Sequence, residues 1–461
     1  MTDPADLPAV DMLAAFAARR LSPVEVLDAV VARIGRSEPR LCALYAFDPD
    51  CARAAARDSE ARWMRGEARG LEGVPATIKE NIATRGVPVP LGTAARDLAP
   101  AAEDAPPAAR LREAGAVIVA KTTMPDYGML SSGLSSFHQP ARNPWDLALN
   151  PGGSSAGAGT AAAAGYGPLH LGTDIGGSIR LPAAWCGVAG LKPSLGRVPI
   201  DPPYYGRAAG PMTREVRDAA LMMRELSRPD WRDSMSLPPQ DIDWMDLERD
   251  MRGLRVGLWL DAGFGLPVEP EIRAAVADAA RRFADAGAIV EPMESFVTRR
   301  MLDGLDAFWR LRSWTDISAL PAERRARVLP YILRWAEGGA GLSGEQAYLG
   351  MSQMMAMREA AVRACQPYDL VLSPVAPCAQ FPALHAGPTN DPARPLEHIG
   401  FTVAFNMSEQ PAISVNAGWT REGLPIGLQI AGRRFDDIGV LRAARAWEAM
   451  RGPQRPWPRI D

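Results

Sequence analysis

One lysine and two serines lie in surroundings that suit nucleophilic catalysis. Lys79 stands among apolar residues in GVPATIKEN. Burial there would lower its pKa and leave a neutral amine that can accept a proton. Ser154 lies in PGGSSAG and Ser178 in GTDIGGSIR, both rich in glycine. A relay from Ser178 through Ser154 to Lys79 would make the Ser178 hydroxyl a nucleophile for a carbonyl carbon.

The glycines before Ser178 suit an oxyanion hole. Gly176 and Gly177 carry no side chain that would block an approaching substrate. The backbone amides from Ile175 to Ser178 can then donate hydrogen bonds to a developing oxyanion. The alternative interpretation is a tight turn with no catalytic role.

Two short motifs in the same region predict other chemistry. Residues 153–157 fit G-x-S-x-G, which would make Ser155 the nucleophile of an α/β-hydrolase, with His385 or His398 as its base. Residues 157–162 fit the G-x-G-x-x-A form of the dinucleotide fingerprint. No clear strand precedes either motif, although both motifs require one. An esterase and a nicotinamide enzyme are therefore the weaker alternatives.

Composition excludes several classes of partner. The chain has 461 residues, with 47% hydrophobic and 23% charged residues and a net charge of −3. This balance predicts neither nucleic-acid binding nor attraction to an anionic membrane. Five cysteines without a C-x-x-C pair, and an acidic, proline-broken N-terminus, predict a cytoplasmic protein with reduced thiols. No apolar run reaches the ~18–20 residues of a membrane-spanning helix.

The positioning elements are those of an α/β protein. A capping box at Ser22 begins an N-terminal helix, and residues 116–120 predict a buried strand. Residues 254–260, 271–286 and 288–290 predict a parallel strand–helix–strand unit. Further strands are predicted at 369–374, 412–417 and 427–431, and helices at 108–114, 218–226, through most of 303–363, and at 438–450. Between residues 143 and 196 periodicity is weak.

Longer motifs, in order along nearly the whole chain, match one family. They are GVPATIKEN (73–81), AKTTMPDYG (120–128), NPWD (143–146), PGGSSAG (151–157), GTDIGGSIRLPAAWCGVAGLKPSLGRVP (172–199), GPMTREVRDAALMM (210–223), FNMSEQPAISVNAG (405–418) and GLPIGLQIAGRRFDD (423–437). With these motifs the chain resembles the amidase signature family of serine amidohydrolases. The resemblance implies a central twisted mixed β-sheet covered by helices. We expect one domain over residues 1–461, with N-terminal helices to about 65, a signature core from about 66 to 225, and a variable, largely helical region from about 300 to 365.

The resemblance also implies roles for individual residues. Lys79 would be the base, Ser154 the bridging serine after a cis peptide bond, and Ser178 the acyl-enzyme nucleophile. Residues assigned to the oxyanion hole or to substrate binding are Ile175, Gly176, Gly177, Met129 and Ser131. Residues assigned to supporting the turn are Thr173, Asp174, Arg180 and Ser155, with Asp174 and Arg180 as a structural pair.

Several residues depart from the usual family pattern or invite other roles. Ala156 and Ala158 replace a glycine and a serine, Glu80 replaces an aspartate, and His138 stands where glycine is common, at the expected pocket mouth. His170 and Cys186 lie near the signature serines, and we expect both to be buried structural residues. The Met and Trp residues of 301–363, among them Trp309, are expected first of all to form core.

The sequence therefore predicts hydrolysis of a carboxylic amide, or a related ester or hydrazide, through an acyl-enzyme. Neither a metal nor an organic cofactor is expected, since no His, Cys or carboxylate cluster has ligand spacing. The expected partner is a small amide substrate, and a homodimer is left open. The main alternative is a glutamine-hydrolysing amidotransferase subunit that passes ammonia to a second protein.

Overall fold

A single mixed β-sheet runs through the chain. The computed structural model describes residues 3–460. Within these residues the sheet has eleven strands in the order β1-β3-β2-β4-β6-β5-β10-β11-β9-β7-β8. The strands are β1 (Leu44–Tyr45), β2 (Pro75–Lys79), β3 (Val117–Thr122), β4 (Leu169–Asp174), β5 (Ala189–Lys192), β6 (Ala208–Thr213), β7 (Arg255–Leu258), β8 (Ile289–Pro292), β9 (Leu370–Pro374), β10 (Ala412–Trp419) and β11 (Pro425–Gly432).

Helices from all parts of the described chain cover this sheet. The α-helices are α1 (Ala9–Ala17), α2 (Pro23–Leu41), α3 (Pro49–Arg65), α4 (Pro106–Glu113), α5 (Ala156–Ala164), α6 (Arg180–Cys186), α7 (Val216–Leu226), α8 (Pro270–Asp285), α9 (Arg299–Ser318), α10 (Ala322–Arg325), α11 (Pro330–Glu337), α12 (Gly344–Cys365), α13 (Gly400–Met407) and α14 (Asp437–Met450). Short 3₁₀ helices lie at Pro4–Asp6 and Asp126–Gly128. The predicted mixed sheet covered by helices is confirmed.

Parallel pairing in the N-terminal half brings strand ends together. β2 lies between β3 and β4 and is parallel to both. The carboxyl ends of β2 and β4, at Lys79 and Asp174, therefore meet at one edge of the sheet, where sites in α/β proteins commonly form. The predicted strand–helix–strand unit is also confirmed, because β7 and β8 flank α8 and pair in parallel.

The segment with weak periodicity is regular in the structure. Residues 143–196 contain α5, α6, β4 and β5, none of which was predicted, and β6 was missed just beyond them. Every residue of α5 is buried. A helix that is buried on all sides has no polar face, so it shows no amphipathic period in its sequence.

The C-terminal helices form their own apolar cluster. Large side chains of α9, α11, α12 and α13 meet in it, among them Trp309, Trp335, Met354 and Phe401. This confirms the predicted helical region after residue 300. The cluster fixes α9, whose side chains reach the candidate site. None of the helices within residues 3–460 has the length and apolar character needed to cross a bilayer.

Candidate active site

Lys79 lies at the carboxyl end of β2, and its side chain is fully buried. Its Nζ atom is 2.8 Å from Ser154 Oγ and 2.9 Å from Thr173 Oγ1. Burial lowers the pKa of Lys79 to about 7, against an opposing pull from the Asp174 and Glu80 carboxylates and with help from the Arg207 charge. Near neutral pH, a large share of Lys79 is therefore a neutral amine in contact with a serine hydroxyl.

Burial alone does not single out Lys79, because two other lysines are equally enclosed. Burial also lowers the pKa of Lys121 and of Lys192 to about 7. The Lys121 ammonium donates to Thr84 Oγ1 at 2.7 Å, and that of Lys192 donates to the Pro193 carbonyl at 2.8 Å. Of these three lysines, Lys79 is the one whose amine contacts a serine.

The turn that carries Ser154 is tightly enclosed. The Gly153–Ser154 peptide bond is cis. A Cβ atom on Gly153 would lie 2.5 Å from the Ser132 carbonyl oxygen, so no larger residue fits. Ser155 precedes α5, and its hydroxyl donates to the Thr173 carbonyl at 3.1 Å and accepts from the Thr173 amide at 3.3 Å. Ser155 therefore ties the turn to the end of β4.

In the part of the chain that the structure describes, Ser155, the nucleophile of the esterase alternative, is not hydrogen-bonded to a histidine base. Across residues 3–460, the Ser155 hydroxyl bonds to the Thr173 backbone rather than to His385 or His398. His398 is buried against Trp185, and burial lowers its pKa to about 4. The arrangement offers no support for the predicted esterase alternative.

The turn that carries Ser178 is organised by the Asp174 carboxylate. This group is fully buried and accepts hydrogen bonds from the amides of Gly177 at 2.8 Å and Ile179 at 3.1 Å. Arg180 Nε and Nη2 bind the same carboxylate at 3.0 and 2.9 Å. Burial alone would raise the pKa of Asp174, but the Arg180 guanidinium outweighs it and holds that pKa well below its usual range.

Arg180 also connects the Ser178 turn to distant parts of the fold. Its Nη1 donates to the Thr402 carbonyl at 2.9 Å and to Gln429 Oε1 at 2.8 Å. Its Nη2 donates to Asn406 Oδ1 at 2.7 Å, and Asn406 Nδ2 donates to Asp174 at 2.9 Å. The sequence analysis assigned no role to Asn406, although it lies in the matched segment 405–418. It helps to hold the Ser178 turn against α13.

Ser178 itself is nearly buried, with 9% of its surface exposed. Its carbonyl accepts a hydrogen bond from the Ser155 amide at 3.1 Å. Among the contacts of residues 3–460, its hydroxyl is not hydrogen-bonded to that of Ser154. The two serine turns are therefore adjacent through the backbone, and a relay requires their hydroxyls to approach when substrate binds.

The four amides predicted for the oxyanion hole are not equivalent. The Gly177 amide is already bound to Asp174, and its φ of +122° is accessible to glycine. In the described part of the chain, the amides of Ile175, Gly176 and Ser178 have no acceptor. Ile175 directly follows β4, and its side chain is half-buried. An oxyanion would thus rely on Ile175, Gly176 and Ser178 before Gly177.

Residues around the two turns form the walls of the site. A Cβ on Gly128 would lie 3.4 Å from Ser154 Oγ, so the loop that continues to Met129 and Ser131 borders that serine. Both side chains are half-buried. A Cβ on Gly176 would lie 3.3 Å from the Trp309 ring. Trp309 is core, as expected, and it also borders the oxyanion turn.

Two departures from the family pattern contact each other. His138 Nε2 is hydrogen-bonded to Glu80 Oε2, and both side chains are nearly or fully buried. The His138 ring also packs against Tyr45, with centroids 5.3 Å apart. Glu80 directly follows Lys79, so the His138–Glu80 pair lies next to the candidate base. His138 is held by this carboxyl group and is not free at the pocket mouth.

His170 and Cys186 are buried structural residues, as expected. His170 Nδ1 bonds with Thr77 Oγ1 at 2.8 Å and Nε2 with the Gly167 carbonyl at 2.9 Å. Burial lowers the pKa of His170 to about 4 and raises that of the Cys186 thiol. In residues 3–460 no group of three His, Cys, Asp or Glu side chains is placed to hold a metal ion.

Comparison with known proteins shows which family the chain belongs to. A model of the Amidase family matches residues 25–441. The chain belongs to the amidase family. Relatives of this amidase-family chain include one subunit of the glutamyl-tRNA(Gln) amidotransferase from Anaeromyxobacter sp. (strain K), which is 37% identical over 95% of each chain. An acylamidase from Rhodococcus erythropolis is 34% identical over 98% of this chain and 96% of its own. The crystal structure of a bacterial aryl acylamidase of the amidase signature family superposes with a TM-score of 0.88, at 31% identity over 96% of each chain.

Proposed function

We propose that this protein hydrolyses a carboxylic amide through an acyl-enzyme on Ser178. The observation that carries the proposal is the 2.8 Å contact between the buried Lys79 amine and Ser154 Oγ. A pKa of about 7 makes the amine a competent base at neutral pH. Lys79, Ser154 and Ser178 are then the catalytic residues.

The reaction begins with two proton transfers. Neutral Lys79 accepts the Ser154 proton, Ser154 accepts the Ser178 proton, and Ser178 Oγ forms a bond to the carbonyl carbon. The amides of Ile175, Gly176 and Ser178 donate hydrogen bonds to the oxyanion, and one such donor is worth about 3–4 kcal/mol. Asp174 and Arg180 keep those amides in place without touching the substrate.

The leaving nitrogen must be protonated before the C–N bond breaks. The proton held by Lys79 returns through Ser154 to that nitrogen, and ammonia or an amine departs. A water molecule then gives a proton through Ser154 to Lys79 as its oxygen bonds to the acyl carbon. The proton returns to Ser178 Oγ as the acyl bond breaks, which frees the acid and restores Ser178. The amide and one water molecule are the only reactants that the two steps consume.

A fluorophosphonate probe tests the nucleophile directly. Intact-mass analysis is done on the wild type and on Ser178→Ala, Ser154→Ala and Lys79→Ala, followed by peptide mapping of the adduct. We expect strong labelling of wild type alone, with the adduct on Ser178. Labelling of Ser178→Ala at the wild-type rate, or an adduct on Ser155, would refute the assignment. Circular dichroism of each variant confirms that it is folded.

A second candidate function is supported by the 37% identity to the amidotransferase relative. Under this alternative, the same acyl-enzyme releases ammonia from glutamine for a second protein. Such a protein has low glutaminase activity when isolated and higher activity with its partner. A free-standing amidase has full activity by itself. Glutamine and simple amides, assayed with and without the proteins that complete the relative's complex, decide between the two. A cytoplasmic location, a homodimer and the single-domain division remain predictions.

A further inference from the structure

A large cavity lies against the loop that borders the proposed catalytic Ser154, because Tyr127 of that loop lines it. Its volume is about 1010 Å³, and its lining includes Tyr127, Tyr204, Arg207 and Arg312. We propose that this arginine cavity, defined by those four residues, binds a carboxylate on the far end of the amide substrate. That the ligand is a substrate rests on the proposed function, whereas the anion site stands on its own contacts.

Arg312 is connected to the candidate site by short contacts. Its Nη2 lies 3.1 Å from Met129 Sδ, and Met129 follows Gly128, which borders Ser154 Oγ. Arg312 is also three residues after Trp309 on α9, so both project from one face of that helix. Trp309 touches the oxyanion turn, and Arg312 therefore lies one helical turn from it.

Arg207 reaches the site from another direction. Besides the arginine cavity, it lines a narrow cavity of about 40 Å³ together with Asn81 and Thr173. Asn81 Nδ2 and Lys79 Nζ both donate to Thr173 Oγ1, at 3.1 and 2.9 Å. Arg207 therefore lies between the surroundings of Lys79 and the arginine cavity, since it lines both cavities.

The two guanidiniums share one aromatic ring. Arg207 and Arg312 lie 5.8 and 5.0 Å from the centroid of Tyr204. Both arginines are half-buried. Burial, with the nearby Arg312 charge, lowers the pKa of Arg207, so the two positive charges disfavour each other. An anion between them would relieve this repulsion.

Neither arginine has a carboxylate of its own. Among residues 3–460, no Asp or Glu oxygen lies within 4.0 Å of a charged nitrogen of Arg207 or Arg312. Elsewhere on the same cavity, Arg324 is paired with Asp97 at 2.7 Å, and Asp316 is exposed. Arginine binds carboxylates through two parallel hydrogen bonds, so a substrate carboxylate is the complementary partner for this pair.

A matched pair of amides tests the inference. Adipamate and hexanamide have the same chain length and differ by a carboxylate in place of a methyl group. Their affinities are measured by calorimetry on Ser178→Ala protein, which cannot form the acyl-enzyme, and their kcat/KM values on the wild-type nucleophile. Both measurements are repeated with Arg312→Gln, Arg207→Gln and the control Arg300→Gln, an exposed arginine on the same helix as Arg312.

We expect adipamate to bind and react at least about tenfold better than hexanamide, the effect of one charge-assisted hydrogen bond. Arg312→Gln should remove most of that preference, whereas Arg300→Gln should preserve it. Equal binding of the two amides, no measurable binding of adipamate, or a preference that survives both cavity substitutions would overturn the inference. Preferential binding without hydrolysis of either amide would uphold the anion site and count against the proposed hydrolysis. Hydrolysis of both amides at equal rates would uphold the proposed hydrolysis and overturn the anion site.

Discussion

The proposed base makes the reaction rate depend on pH in a way that can be calculated. Burial lowers the pKa of Lys79 from the ordinary lysine value of 10.5 to about 7, which corresponds to about 5 kcal/mol against the charged amine. The rate should therefore be constant above the midpoint and fall about tenfold for each pH unit below it, as the neutral fraction falls.

The rate constant for fluorophosphonate labelling of Ser178 measures this dependence without knowledge of the substrate. We expect one acid limb with a midpoint near pH 7 between pH 5 and 9. Lys79→Met should slow labelling by about 10²–10⁴-fold, the usual contribution of a general base, and abolish the limb. Arg207→Gln should move the midpoint to higher pH, because the Arg207 charge helps to lower the pKa of Lys79.

The two other buried lysines provide matched controls. Burial also brings the pKa values of Lys121 and Lys192 to about 7, but their amines contact other groups. Lys121→Met and Lys192→Met should therefore keep the limb at its wild-type midpoint, provided that thermal unfolding shows a folded protein. A flat wild-type profile between about pH 6 and 9, or a limb that persists in Lys79→Met, would refute the assignment of the base.

Two further predictions concern the support of the site. His138→Ala removes one of the partners of the buried Glu80 carboxyl group, whose other oxygen keeps the Gly92 amide, at a cost of about 1–3 kcal/mol in urea unfolding. The double variant His138→Ala/Glu80→Ala should lose less unfolding free energy than the two single variants lose together. Strictly additive losses would show that the two side chains are not coupled. Gly177→Ala combines a φ of +122° with a Cβ 2.6 Å from a side-chain oxygen, whereas the Gly176→Ala Cβ lies 3.3 Å from its nearest neighbour. Gly177→Ala should therefore unfold at lower urea concentration, and equal midpoints would contradict this.

Local patterns in the sequence predicted the elements that have a polar and an apolar side. The capping box at Ser22 begins α2 as expected, with both of its hydrogen bonds present. The alternation of strand, helix and strand at β7, α8 and β8 was visible because α8 keeps an exposed face. The wholly buried α5 carries no such signal, since its alanines and glycines suit any enclosed position.

The placement of Lys79 and the two serines followed from residue type and from the family resemblance together. A lysine among apolar residues indicates burial, but Lys121 and Lys192 are buried as well. What distinguishes Lys79 is a contact across 75 positions of the chain, to Ser154. Parallel pairing of β2 with β4 brings Lys79 to Thr173, and the Ser155 hydroxyl ties the Ser154 turn to that same residue. No local pattern encodes this arrangement.

Arg207 and Arg312 received no role in the sequence analysis because their chemistry depends on partners that the chain itself does not provide. Arg180 could be paired with Asp174 from the sequence because only six positions separate them. Arg207 and Arg312 stand out only when the structure shows that neither meets a carboxylate within residues 3–460, while Arg324 on the same cavity is paired with Asp97. An arginine left in a half-buried cavity without an anion lacks the compensation that burial of charge requires. The substrate is the component that can supply it, which is why the specificity of this family member has to be sought at α9 and the loop before β6 rather than in the signature motifs.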